Sequence, residues 1–353
     1  MTSQTGSEGL TRRQFLKASA ATTAGIGLSS VAFACGGSDS GNSSGSGQLG
    51  QVSYAFSWIL NVQQAGSYIA KERGYYRRAG VDVTFIPGGT TYAAEPIVAS
   101  GKALLAMSAP QTTGAAVNQG ADLRIVATQY QQNPLCMISL AKNPIPTAKQ
   151  LVGKTIAVQP NVEPQWRGFL KVNNLEGQVH SVPSGRDPSV LTSGSVDAFI
   201  GFITNDAVAL KVQKVPIVTF LLGDYGTPGF YLTYLAASAS LNDKKKRAQI
   251  KALLEGEIRG WQVQVGDPKV GLQLTLDKYG KGLGLDPAQQ QIQSEEQNQL
   301  IVSPTTKQHG LFWMSAEDID RTANTLGNVG TPVKKSLFDN GLLGEIYNGH
   351  NSL

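Results

Sequence analysis

The sequence predicts an α/β protein of two lobes, each a parallel-rich sheet flanked by helices. Three observations predict it. The first is the stretch 74–107, which reads as strand, glycine turn, helix, strand. Val81, Val83 and Phe85 alternate with Asp82, Thr84 and Ile86, the period of a strand. Pro87-Gly88-Gly89 stops it, and a helix can start within Thr90 to Tyr92, which leaves Pro96 in the tolerant first turn. That helix closes near Gly101, and the apolar run 103–107 follows as a buried strand. Such a βαβ unit implies parallel neighbours. The second is a renewed alternation of strands and helices from Lys154 to Phe202, after Asn143-Pro144-Ile145-Pro146 breaks the pattern. The third is length: about 300 residues remain beyond an N-terminal segment, enough for two separate cores.

That N-terminal segment is read as a signal. Thr11-Arg12-Arg13-Gln14-Phe15-Leu16-Lys17 matches a twin-arginine export signal, and a small, apolar run leads to Ala32-Phe33-Ala34-Cys35-Gly36. This is a lipoprotein-type cleavage site, with Cys35 as the expected lipidation site. The run is short for a permanent span, which needs roughly 20 apolar residues. Residues 36–50 are nearly all Gly, Ser, Asn and Asp, a composition expected to form a flexible tether. The chain carries a formal +5, and leaving out Arg12, Arg13, Lys17 and Glu8 lowers it by two, which is no nucleic-acid signature. The only basic run is Lys244-Lys245-Lys246-Arg247. With Cys35 acylated, Cys136 stands alone, so no intrachain disulfide is expected.

In order, a first strand over 51–56 precedes a helix capped by Asn61 and closed at Gly74. After the βαβ unit come a helix over 109–119 and strands over 124–130 and 135–140, the latter leaving the first lobe. The second lobe offers strands over 154–158, 179–182, 196–202 and 217–221, with Asp187-Pro188 as a helix start. Residues 230–236 return to the first lobe. Ile250, Leu253, Leu254, Ile258, Trp261 and Val265 mark one face of a long helix, and Asp267-Pro268, Asp286-Pro287 and Ser315-Ala316-Glu317-Asp318 start others.

Several of these segments carry a resemblance. "KERGYYRRAGVDVTFIPGG", "SGKALLAMSAP", "LVGKTIAVQ", "LTSGSVDAFIGF", "DYGTPGFYL" and "WMSAEDIDRTANTLGN", in this order, resemble the solute-binding proteins of ABC importers. The nearest group binds alkanesulfonates, nitrate and thiamine-pyrimidine precursors. Leu104-Leu105 stand where that group usually has an acidic residue. The resemblance implies a periplasmic-binding-protein-like fold of type II with two hinge crossings, near 135–146 and 228–238. It divides the chain into a signal (1–34), a tether (35–50), a first lobe (51–138 and 236–353) and a second lobe (139–235). It also implies a monomer that works with a membrane permease, without cofactor, metal or nucleic acid.

Ligands of open α/β sheets sit beyond the carboxyl ends of the strands. This places six aromatics at the cleft: Trp58, Tyr92, Tyr130, Trp166, Phe202 and Tyr225. Trp166 lies inside a helix and is read as core. The polar candidates at the same loops are Asn61, Ser108, Asn161, Glu163, Thr204, Asn205 and Asp224. Arg167 is the only arginine read near these tips, while Glu163 and Asp224 suit an amino group. The expected ligand is therefore a flat, amino-bearing ring such as a thiamine-pyrimidine precursor, with Glu163 facing Trp58 and Tyr92. Alkanesulfonate, taurine or nitrate is the alternative. Enzymatic readings are weak. His180, His309 and His350 lie far apart, with no metal-ligand spacing, nucleophile elbow or phosphate loop around them.

Overall fold

The computed structural model describes residues 48–89 and 93–353. Tyr92, Cys35, the export signal and most of the tether lie outside the described residues. The described chain folds as two five-stranded sheets with helices around them. The strands are β1 (Gly50–Ala55), β2 (Val81–Ile86), β3 (Leu105–Ser108), β4 (Leu123–Tyr130), β5 (Leu135–Leu140), β6 (Thr155–Val158), β7 (His180–Pro183), β8 (Ala198–Phe202), β9 (Ile217–Leu221) and β10 (Tyr231–Ala237). The helices used below are α1 (Ala65–Glu72), α2 (Tyr75–Arg78), α3 (Ala94–Ala99), α4 (Pro110–Asn118), α5 (Glu163–Val172), α6 (Ser189–Thr192), α7 (Asp206–Val212), α8 (Ser238–Asn242), α9 (Lys244–Gly266), α10 (Pro268–Leu274) and α11 (Pro287–Ile301).

The first sheet has the order β2-β1-β3-β10-β4 and the second β7-β6-β8-β5-β9. The two follow one scheme. Three neighbouring strands run parallel, and the fourth runs against them: β10 between β3 and β4, β5 between β8 and β9. These antiparallel strands are the exchanged ones. All of β5 pairs in the second sheet and all of β10 in the first, so the chain crosses between sheets over 131–134 and 222–230. Each sheet has its own apolar core. Tyr54, Met107, Tyr234, Leu253 and Trp261 fill the first, and Met137, Ile156, Trp166, Phe169 and Ile200 the second.

The strands follow the apolar patterning closely, and β2 buries Val81 and Val83 while exposing Asp82 and Thr84. Two helix starts differ from the sequence reading. Asn61 caps a 3-10 turn, Val62–Gln64, by accepting from Gln63 N at 2.9 Å, and α1 begins only after it. Ala93 precedes α3, which has Pro96 in its first turn as required. α1 lies flush on α9, because a Cβ on Gly260 would sit 2.1 Å from the Gly66 carbonyl oxygen. Cys136 is buried in β5, and burial pushes its thiol well above the usual range, so it is inert.

Candidate functional site

In each sheet the chain places successive parallel strands on opposite sides of one strand: β1 lies between β2 and β3, and β6 between β7 and β8. Such switch points open a crevice at the strands' carboxyl ends. The two crevices face each other across a cavity of about 410 Å³. The chain after β1 supplies Ser57, Trp58 and Asn61, and that after β3 supplies Ser108 and Ala109. From the second sheet come Gln159 and Asn161 after β6, and Phe202, Thr204, Asn205 and Asp206 after β8. Tyr130 and Tyr231, at adjoining ends of β4 and β10, complete the aromatic wall, and α11 contributes Gln293.

Eight of the residues that the sequence places in the cleft therefore line this cavity: Trp58, Asn61, Ser108, Tyr130, Asn161, Phe202, Thr204 and Asn205. Three lie elsewhere. Glu163 opens α5 but faces outward, where it pairs with Arg167 at 2.8 Å; its side chain is 42% exposed. A glutamate there complements the helix dipole, which needs no ligand. Asp224 is exposed on a 3-10 turn, Leu222–Tyr225. Tyr225 packs edge-on against Phe220 and donates to the Pro146 carbonyl at 3.3 Å, away from the cavity. Trp166 is core, and its Nε1 donates to Ser181 Oγ at 2.7 Å.

The charged groups of the site are ones that the sequence reading missed. Glu95, in the first turn of α3, is 5% exposed and lines the cavity. Its Oε1 accepts from Ser108 Oγ at 2.5 Å and from Thr113 Oγ1 at 3.0 Å. Both donors use the same oxygen, and Oε2 has no hydrogen-bond partner among the described residues. Asp206, 4% exposed, sits opposite at the start of α7 and accepts from Phe202 N at 2.7 Å. Burial pushes its carboxyl up to about 6 against that hydrogen bond and the Arg186 charge. Arg186, in the loop before α6, reaches the mouth and lies over the Trp58 ring at 5.1 Å, a cation–π contact across the cleft. The reading that no arginine but Arg167 approaches the tips is thus corrected. Gln159, on the wall, has a buried amide nitrogen without a hydrogen-bond partner.

The wall is backed by carboxamides. Val62 N donates to Gln290 Oε1 at 2.9 Å, Gln297 Nε2 donates to the Val62 carbonyl at 2.9 Å, and Tyr130 donates to Gln297 Oε1 at 3.2 Å. α11 thereby fixes the turn that carries Asn61. Across the cleft, Lys211 of α7 pairs with Glu296 of α11. Among the described residues no group of His, Cys, Asp and Glu could hold a metal ion.

Known proteins agree with this architecture. Riboflavin-binding protein RibY of Chloroflexus aurantiacus is 25% identical over 302 residues, 79% of this chain and 82% of that protein. The formylaminopyrimidine-binding protein of Halalkalibacterium halodurans is 23% identical over 236 residues, 65% and 70% of the two chains. The periplasmic aliphatic sulphonate binding protein SsuA from Escherichia coli superposes with a TM-score of 0.59 at 16% identity, covering 78% of this chain and 90% of its own. The fold is that of periplasmic binding proteins. Residues 9–29 match the twin-arginine translocation pathway signal sequence, which supports export. Residues 61–270, more than half of the chain, match the family described as NMT1/THI5 like, and the chain belongs to that family.

Proposed function

We propose that this protein is the exported solute-binding component of an ABC importer, and that its ligand is a flat heteroaromatic molecule with N–H donors on one edge. One observation carries the reading: a cavity at two facing switch points with aromatic walls, carboxamides around them and one free carboxylate oxygen. About 410 Å³ falls within the range of small-molecule sites, roughly 300–1,000 Å³. Trp58, Tyr130, Phe202 and Tyr231 offer ring faces, while Asn61, Gln159, Asn161 and Asn205 both donate and accept, as the edge of a nitrogen heterocycle requires. Glu95 and Asp206 make the interior acidic, which disfavours a sulfonate or nitrate. The heteroaromatic ligands named for RibY and for the formylaminopyrimidine-binding protein fit this chemistry. A membrane permease would receive the loaded protein.

Calorimetric titration with riboflavin, an aminopyrimidine and an alkanesulfonate tests the reading, together with mass spectrometry of whatever small molecule denaturation releases. Heat from a heteroaromatic probe, with no turnover, is the expected result. Tight sulfonate binding with no heat from either ring compound would overturn it, as would catalytic conversion of the probe.

The same reading has the chain anchored through an acyl group on Cys35. Fatty-acid labelling of the exported protein is expected to mark the wild type and not Cys35→Ser. An unlabelled wild type, with an N-terminus generated elsewhere, removes the anchor from the reading.

A further inference from the structure

We propose that the end of the first sheet at which the chain enters it is a basic face that lies on an anionic phospholipid surface. Leu49 marks that entry. Its N–H donates to the Gly80 carbonyl at 2.8 Å, and its own carbonyl accepts from Gln249 Nε2 at 2.9 Å. Residue 49 is thus held between the turn after α2 and the first turns of α9. Both neighbours are cationic. Arg73 precedes α2, Arg77 and Arg78 end it, and Lys244, Lys245 and Lys246 open α9; all six are exposed. Lys245 and Lys246 precede Gln249 by four and three residues, so they share the helix face that meets Leu49.

These charges have no carboxylate partner among the described residues. Arg78 stacks on Tyr75 and donates to the Arg73 carbonyl instead. The acids nearby are mostly engaged. Asp243 is the α9 cap, Glu72 holds Lys278 and Tyr279, Glu345 holds Arg247 and Lys251, and Asp82 is exposed on β2. Three lysines in the first turn of α9 also oppose the helix dipole, which favours acids there. Beyond the Asp243 cap, no carboxylate among the described residues pairs with these six charges, which points to a negative surface outside them.

The position of the face selects the occupant. β1 and β2 start here and run to the cavity at their other ends, about 20 Å away for six-residue strands. A surface bound at this end leaves the cavity mouth open. The chain from Cys35 to residue 48 can span at most about 45 Å, so an anchor at Cys35 would leave this face within reach of the lipid headgroups. There each cation gains attraction that fades within a Debye length. The anchoring reading serves only to name the surface, and the test below uses a chain without the acyl site, so the two fail separately.

The full chain with Cys35→Ser is mixed with vesicles of phosphatidylcholine alone, or of phosphatidylcholine with phosphatidylglycerol, and the bound fraction is read by flotation. Preference for the anionic vesicles is expected, weakening with added salt. Adding Lys244→Glu, Lys245→Glu, Lys246→Glu, Arg77→Glu and Arg78→Glu should lower the partition coefficient by about tenfold or more, and leave the ligand isotherm unchanged. Arginine at the three lysine positions should retain binding. Equal partition of the parent and the reversed chain, or equal binding of the parent to neutral vesicles, overturns the proposal. If the reversed chain loses ligand binding, the neutral Lys→Gln set carries the same comparison.

Discussion

Glu257→Ala is expected to cost about 3–5 kcal/mol of folding stability, read as a lowered urea midpoint at unchanged slope. Glu257 lies on α9 and is fully buried. Its carboxylate accepts from Ser67 Oγ of α1 at 3.0 Å, from the Tyr234 hydroxyl of β10 at 2.9 Å and from the Tyr76 hydroxyl of α2. One side chain thus ties three elements to the helix across the first core. Alanine leaves those hydroxyls buried without an acceptor, at about 1–3 kcal/mol each before local repair. Glu257→Gln keeps an acceptor and should cost less. The pH dependence has a definite sign. Burial raises the Glu257 carboxyl above its ordinary value, and raises Asp206 from 3.8 to about 6. A raised carboxyl holds its proton more tightly in the folded protein than in the unfolded chain. Stability therefore falls as pH rises from the unfolded value to the folded one. For Asp206 that window runs from about 4 to about 6, and Asp206→Asn should remove its share of the slope. A flat wild-type profile there would contradict the assignment.

Glu95→Gln is expected to weaken the heteroaromatic ligand by about 1.5–3 kcal/mol, ten- to a hundredfold or so in Kd. Ser108 and Thr113 occupy Oε1 and hold the carboxylate in place, so on the proposed reading Oε2 would meet the ligand preoriented. Glutamine can keep those two hydroxyl donors through its remaining oxygen, but turns the ligand-facing acceptor into a donor. Ligand N–H groups then meet N–H, and a charge-assisted bond is lost. Glu163→Gln supplies the contrast. Its exposed pairing with Arg167 is of the kind that contributes about 0–1 kcal/mol, and the residue is off the cavity, so affinity should not change. Calorimetry on both variants decides between them. An unaffected Glu95→Gln together with a weakened Glu163→Gln would restore the sequence-based placement and reject this one.

The contrast between these two glutamates shows how far the sequence reaches. Strand positions were legible because each strand presents β-branched and apolar residues between turn formers, as in β2, β5 and β9. The turn after each parallel strand could therefore be assigned to a cleft, and eight of those candidates line one cavity. Glu163 also starts a helix at such a turn, yet its side chain points outward. Glu95 stands in the first turn of the helix that follows the Gly88-Gly89 turn, with no local feature that marks it out. Nothing local distinguishes the two, because the direction of a side chain at a helix start depends on the angle at which the helix leaves its strand. Arg186 was illegible for a related reason: a long side chain in an irregular loop declares its partner, here Trp58, only when the two sheets are placed face to face.

By itself the sequence determined the α/β class, the positions of the strands along the chain, the caps at Asn61, Asp267, Asp286 and Ser315, and the export signal. Each of these is written in residues close together along the chain: period-two alternation, a capping side chain two or three positions from the N–H it accepts, or a short motif. The tertiary structure alone decided which polar residues are inside. α11 has no apolar stripe, yet it buries Gln290 and Gln297 against the turn at Val62, Ser294 against Gln264 of α9, and Gln293 at the cavity wall. Glu257 sits on an otherwise apolar face of α9 and is matched by hydroxyls from three distant segments. Burying an apolar side chain is favourable against almost any apolar neighbour, so periodicity is enough to predict it. Burying a carboxamide or a carboxylate is favourable only when donors and acceptors arrive at hydrogen-bonding distance from elsewhere in the chain.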